Sequence, residues 1–222
     1  MAIAIGASAS AGSSVSNTTT TAGVTTQTSG STFVIGVVYP NGDTISSISD
    51  SKSNTYSLIN QTADPGDGFK VAMYYCANGS GGSGHTATAV ISSTDPKAVF
   101  FAEITGASAS PLDQSSGALD TSSPFDSSVT ITQNNEIVIS LLGSNSSGST
   151  VTWNGGYTGL LAETGWLGAG LGYRITSATG TYSPAATTSS GLYAVVVTAS
   201  FFEASSTVYD PITSCFPIGY YE

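Results

Sequence analysis

Positive charge is nearly absent from this sequence. Its 222 residues include four Lys or Arg against 14 Asp or Glu, a net charge of −10. Nucleic acids are held by clustered cations, so four scattered ones exclude that partner. Histidine occurs once, at His85, and cysteine twice, at Cys76 and Cys215. With no CxxC or HxxxH spacing among them, they make no usual zinc site. No apolar run approaches the length of a membrane-spanning helix, so no membrane partner is expected. Glu, Lys, Arg and Gln are scarce, and no window keeps apolar residues at i, i+3, i+4, i+7, so almost no helix is expected.

What fills the chain instead is small and polar. It has 38 Ser, 30 Thr and 26 Gly, together 94 of 222 positions. Disorder does not follow, because 40% of residues are hydrophobic and only 8% charged, the reverse of a disordered composition. Strand signals recur, as in FVIGVVY (33–39) closed by Pro40-Asn41-Gly42-Asp43, FKVAMYYC (69–76), AVFFAEI (98–104) and LYAVVVTASFF (192–202). Several runs are apolar on both pleat faces and read as central, covered strands. Many short strands with turn signals between them predict an all-β fold, an antiparallel two-sheet β-sandwich or jelly roll of about 10–13 strands.

A faint internal repeat runs through residues 32–106 and 136–204, each ending in a long apolar strand that carries Glu103 or Glu203. The expectation is one sandwich domain over 32–209, each half supplying strands to both sheets. Residues 1–31, rich in Ser and Thr, read as an arm or an edge strand. Residues 210–222 (DPITSCFPIGYYE) have no regular pattern but carry Ile212, Phe216, Ile218, Tyr220 and Tyr221. Exposed aromatics invite association, so this tail should dock on its own domain or on a neighbouring subunit.

The start, MAIAIGASASAG, has no basic region and only a short apolar run, unlike a secretory signal. An outside-type composition without an export signal suggests release by lysis, as for virion proteins made in a host cytoplasm; removal of a leader is the other reading. Cys76 and Cys215 could close a long loop, but assembly in a reducing cytoplasm argues against pairing.

Tools for catalysis are few. His85 lies in a Gly-rich turn and reads as an exposed turn histidine, and there is no G-x-S-x-G elbow. The turn acids Asp43, Asp50, Asp64 and Asp67 are weak calcium candidates, since turn carboxylates and carbonyls are the usual oxygen ligands. Neither Asp64-Pro-Gly-Asp67 nor the span from Asp43 to Asp50 matches a known calcium-loop spacing. Local backbone hydrogen bonding explains turn aspartates equally well. Trp153 and Trp166 could form an aromatic sugar platform or belong to the core. No catalytic residue and no cofactor is expected.

The order of motifs resembles a known group. Ile45-Ser-Ser-Ile48-Ser-Asp50-Ser-Lys-Ser-Asn54-Thr55-Tyr56 precedes FKVAMYYCAN (69–78), HTATAVIS (85–92) and AVFFAEITGASASPLDQSSG (98–117). These, with YRITSATGTYSPAATTSSGLYAVVVTASFFEA (173–204), resemble the β-sandwich domains of tailed-bacteriophage and prophage virion proteins and of some large bacterial surface proteins. The likeness covers about 30–204. Ser53 stands where such domains often have Gly, Cys76 where they often have Ala, and the aromatic tail is an addition. The resemblance implies a place in a virion rather than a reaction. The function expected is a non-enzymatic structural protein, a capsid decoration (cement) protein or head or tail appendage. Its partners would be the major capsid protein or other virion proteins, with a homo-oligomer, such as a trimer, as its form. The alternative is a carbohydrate-binding or adhesin module.

Overall fold

The computed structural model describes residues 1–66, 68–144, 146–165, 167–190 and 193–205. Asp67, Trp166, Cys215 and the tail residues Ile212, Phe216, Ile218, Tyr220 and Tyr221 lie outside the described residues.

Among the described residues the chain is all β, with no helix. The runs that read as apolar on both faces form the centres of two large sheets. β3 (Ser29–Pro40) is buried continuously from Ser31 to Tyr39 and stops at Pro40, before an Asn-Gly turn. β8 (Lys97–Thr105) and β11 (Glu136–Ser144) are buried along their whole length. β17 (Ala194–Glu203) is buried until its last two residues. Both faces of these strands are therefore covered, which their unbroken apolar runs require.

The first half adds β1 (Ala4–Ser13), β2 (Thr18–Thr20), β4 (Ile45–Asp50), β5 (Ser57–Ala63), β6 (Phe69–Ser80) and β7 (Ala87–Ile91). These eight strands form a five-stranded antiparallel sheet in the order β1-β8-β3-β6-β5 and a three-stranded cover, β2-β7-β4. The second half adds β9 (Ala107–Asp120), β10 (Val129–Ile131), β12 (Val151–Thr152), β13 (Thr158–Glu163), β14 (Gly168–Ile175), β15 (Gly180–Tyr182) and β16 (Thr187–Thr188). Its large sheet runs β9-β17-β11-β14-β13, and its cover consists of the pairs β10-β15 and β12-β16. The two orders are the same, strand for strand. Alternation of successive strands between large sheet and cover is the winding of a jelly roll, with β5 and β13 moved onto the large sheet.

This differs from one sandwich fed by both halves: each half builds its own large sheet. The repeat also starts earlier than residues 32 and 136. β1 and β9 lie outside those bounds and hold equivalent edge positions in their sheets. Gly-Ala-Ser-Ala-Ser recurs at residues 6–10 and 106–110, in or beside those two edge strands. The 17 strands among the described residues exceed the expected 10–13, in part because the Ala/Ser/Thr-rich edge strands β1 and β9 carry weak signals.

The two large sheets pack face to face. One continuous core joins Val34, Val38, Met73 and Phe100 of the first half to Ile139, Leu141, Val197 and Phe201 of the second. At the margins β1 lies on β13 and β5 on β9, the pairing that a twofold relation between the halves demands. Close approach is made possible by reciprocal notches. A Cβ on Gly36 would sit 2.6 Å from a Leu141 methyl, and one on Gly143 would sit 2.7 Å from a Val38 methyl.

Candidate functional site

The densest convergence of polar side chains lies under the first half's cover. β4 ends at Asp50, and the chain turns through Ser51–Ser53 before Asn54, Thr55 and Tyr56. The Asp50 carboxylate organises this turn. Its Oδ1 accepts the N–H groups of Lys52 at 2.9 Å and Asn54 at 3.0 Å. Its Oδ2 accepts from Asn54 Nδ2 at 2.6 Å and from the Tyr56 hydroxyl at 2.8 Å. The motif Asp-Ser-x-x-Asn-Thr-Tyr is thus a carboxylate with its donors. Ser53 has φ of +62°, a left-handed conformation that suits glycine. That accounts for the glycine expected there by resemblance.

The third side-chain partner is His85. Its Nε2 lies 2.9 Å from Asp50 Oδ2, with no solvent exposure of either side chain. Its Nδ1 lies 3.0 Å from Thr26 Oγ1. The ring meets Phe33 edge-on at 4.6 Å and Phe101 at 4.7 Å. The expected exposed turn histidine is therefore fully buried. The reason is the antiparallel bridge from Val24 to His85, which pins residues 24–26 over the turn and turns the ring inward. Both ring nitrogens of His85 have a partner. Gly82 N–H donates to Thr26 Oγ1, the Thr26 hydroxyl donates to Nδ1, and Nε2–H donates to Asp50. Burial alone would raise the Asp50 carboxyl, but hydrogen bonds from Asn54, His85 and Tyr56 outweigh it and hold it at about 2. Burial and the bond to Asp50 push the Tyr56 hydroxyl far above its ordinary value.

A Thr–His–Asp chain suggests nucleophilic catalysis, but its enclosure opposes that. A nucleophile must reach a substrate, whereas Thr26 is 5% exposed and His85 not at all. The cluster is a fastener joining residues 24–26, the end of β4 and the start of β7.

The other acids are engaged in the same way. Asp43 accepts from the Ser92 hydroxyl at 2.8 Å and the Ser93 hydroxyl at 2.5 Å. Asp64 accepts the Gly66 N–H at 3.0 Å in a local turn. Asp43, Asp50 and Asp64 therefore spend their oxygens on separate turns. No group of three His, Cys, Asp or Glu side chains among the described residues is arranged to hold a metal. A cleft of about 490 Å³ is lined by Asn41, Asp43, Pro65, Gly66, Gly68 and Asp95 and is open to solvent. Glu103, 2% exposed, accepts from the Ser31 hydroxyl at 2.6 Å, Gln27 N–H at 2.8 Å and Ala7 N–H at 3.1 Å. It ties β1 to β3 and β8. Glu203, its counterpart in the repeat, accepts the Ile3 N–H at 3.1 Å and so ties the halves together.

Trp153 is half-buried and stacks on Tyr157 at 6.3 Å. A Cβ on Gly172 would meet its indole at 2.5 Å, so the ring is seated on the sheet. Cys76 is buried near the end of β6, and burial raises its thiol. No protein-family model, curated protein or solved structure matches this chain.

Proposed function

We propose that this chain is a non-enzymatic virion structural protein, a capsid decoration (cement) protein or a head or tail appendage that works by attachment. The observation that carries this reading is the use made of its few reactive groups. His85, Asp43, Asp50 and Glu103 are consumed in hydrogen bonds that fasten one segment to another, and Asp64 in one that closes its own turn. Such a chain is built to hold a shape. Jelly rolls are a scaffold of viral shells as well as of lectins, and the motif order resembles phage virion domains. Attachment would use the apolar residues of 210–222, whose burial on a major capsid protein would contribute about 25 cal/mol per Å² before ordering costs.

The test is reconstitution. Capsid shells lacking this protein are mixed with the purified full chain, and occupancy is measured by sedimentation and electron microscopy. Saturable binding at a fixed ratio to shell subunits is expected, and removal of residues 210–222 should reduce it at least tenfold. Absence of binding to shells and tails alike would reject the reading; unchanged occupancy after the deletion would reject the tail as its anchor.

A further inference from the structure

The second half holds a carboxyl whose surroundings leave it incompletely satisfied. Glu136 opens β11 and has no solvent exposure. Its Oε1 accepts the Gln133 N–H at 3.1 Å, while its Oε2 is buried without a donor. A charged oxygen in that position would be unpaired and out of water, among the costliest arrangements a fold can contain.

The strand register brings a second carboxyl to the same place. Glu136 stands opposite Phe202 on β17, and on the other side of β17 Leu112 of β9 stands opposite Phe201. Asp113 thus faces Glu136 across the β17 ridge, beside Ser200, whose hydroxyl oxygen accepts the Gln114 N–H at 3.3 Å. The adjacent N–H groups of Thr132 and Gln133 donate to Asp113 and to Glu136 respectively, each at 3.1 Å, which holds the two carboxyls side by side. Asp113 is well supplied with donors: Gln114 Nε2 at 3.0 Å, Thr132 N–H at 3.1 Å and the Thr132 hydroxyl at 3.2 Å.

We propose that Glu136 is kept as a neutral carboxylic acid whose O–H donates to the Asp113 carboxylate, so that one proton clasps β9 to the start of β11. A cation could also join two carboxyls, but calcium takes about six to eight oxygen ligands. Here Asp113 is already occupied by three donating groups, and Glu136 is enclosed.

The clasp is sensitive to alkali. Burial is the largest influence and raises the Glu136 carboxyl; Ser200 and the Gln133 N–H pull it down by less, and the charge of Asp113 adds to the rise. The other charged groups on the neighbouring strands are turned elsewhere. Arg174 on β14 binds the Gly155 carbonyl and lies over the Tyr182 ring, and Glu203 on β17 binds Ile3 N–H. β10 and the turn at 132–135 carry no ionisable side chain. A folded value above the unfolded one gives stability that is complete below the ordinary 4.5 and lost as pH rises through the raised value.

The experiment is thermal unfolding of the full chain from about pH 5 to about pH 9, with Glu136→Gln and Asp113→Asn beside the unaltered protein. The unaltered protein should lose stability as pH rises. Glu136→Gln, which still accepts from Gln133 and can donate to Asp113, should flatten that slope. An unaltered slope in Glu136→Gln overturns the proposal. So does a calcium-dependent rise in melting temperature that Glu136→Gln abolishes, since that would make the clasp a cation site. Infrared spectra of the unaltered protein give a reading independent of any variant. A protonated-carboxyl C=O band at neutral pH that disappears in alkali is expected, and its absence overturns the proposal.

Discussion

In the first half the large sheet supplies the bulk beneath the cover. Phe33, Ile35, Val37, Tyr39, Val99 and Phe101 rise from β3 and β8, and β7 meets them with Ala87, Ala89 and Ile91. In the second half the assignment is reversed. The same face of the large sheet carries Gly170, Gly172, Ser140 and Thr198 among a few aliphatics, and the cover supplies Phe125, Val151, Trp153 and Tyr157. Val151 sits over Gly170 and Trp153 over Gly172. Strand order is identical, so the winding constrains the summed volume between layers and leaves open which layer provides it. The covers differ accordingly. β7 is one continuous strand, whereas its counterpart is split into β15 and β16 by Pro184, with Ala185 at φ of +41°.

Polar fastening separates the halves as well, and the largest expected effect lies there. Asp50→Ala would strip the acceptor from His85, Asn54 and Tyr56 and leave those donors buried and unpaired. Each buried donor left without its acceptor costs about 1–3 kcal/mol, and the summed loss is to be read by urea unfolding of the full chain. The same cluster sets an acid limit. The Asp50 carboxyl is depressed from 3.8 to about 2, so its stabilisation is present above 3.8 and is lost as pH falls through about 2. Asp50→Asn should remove that acid dependence. The first half would then fail in acid and the second, through Glu136, in alkali. Loss of the acid step in a Glu136 variant instead would dissolve the contrast.

The reversed packing is tested by Gly172→Ala. Its new Cβ would lie 2.5 Å from the Trp153 indole, and overpacking of that kind costs about 1–3 kcal/mol. Adding Trp153→Leu should relieve part of the loss, so the double variant falls short of the sum of the single ones by at least about 0.5 kcal/mol. Strict additivity would mean that the indole is not seated on β14.

Much of the architecture was legible in the residues. The β-branched and aromatic runs at 33–39, 98–104 and 194–202 marked central strands because covered strands need no alternation. The repeat was visible through Glu103 and Glu203 but was cut short. β1, β2 and β9 are rich in Ala, Ser and Thr, whose strand signal is weak, and only the recurrence of Gly-Ala-Ser-Ala-Ser marked the earlier start. The Asp50 cluster was half legible. Asp50 read as a turn acid, and the spacing of Asp50, Asn54 and Tyr56 entered only through a resemblance; nothing local to His85 announced its burial. That depends on Val24 bridging to it from a distant segment, a tertiary contact with no short-range pattern.

Turn chemistry gives the smallest predicted effect. After β4 the chain passes through Ser53 at φ of +62°, while after β12 it passes through Gly155 and Gly156 at +59° and +80°. The second half thus meets the left-handed requirement with glycine and the first with serine. A left-handed non-glycine residue costs about 1–2 kcal/mol, and glycine returns about 0.4–1 kcal/mol of that through the freedom it gives the unfolded chain. Ser53→Gly should therefore stabilise the full chain by about 0.5 kcal/mol, measured by urea unfolding at neutral pH. Combined with Asp50→Ala the gain should shrink, because without the carboxylate nothing holds residues 51–54 in the turn that makes the left-handed residue necessary. A full gain in both backgrounds would show that the turn is set by its own backbone rather than by Asp50.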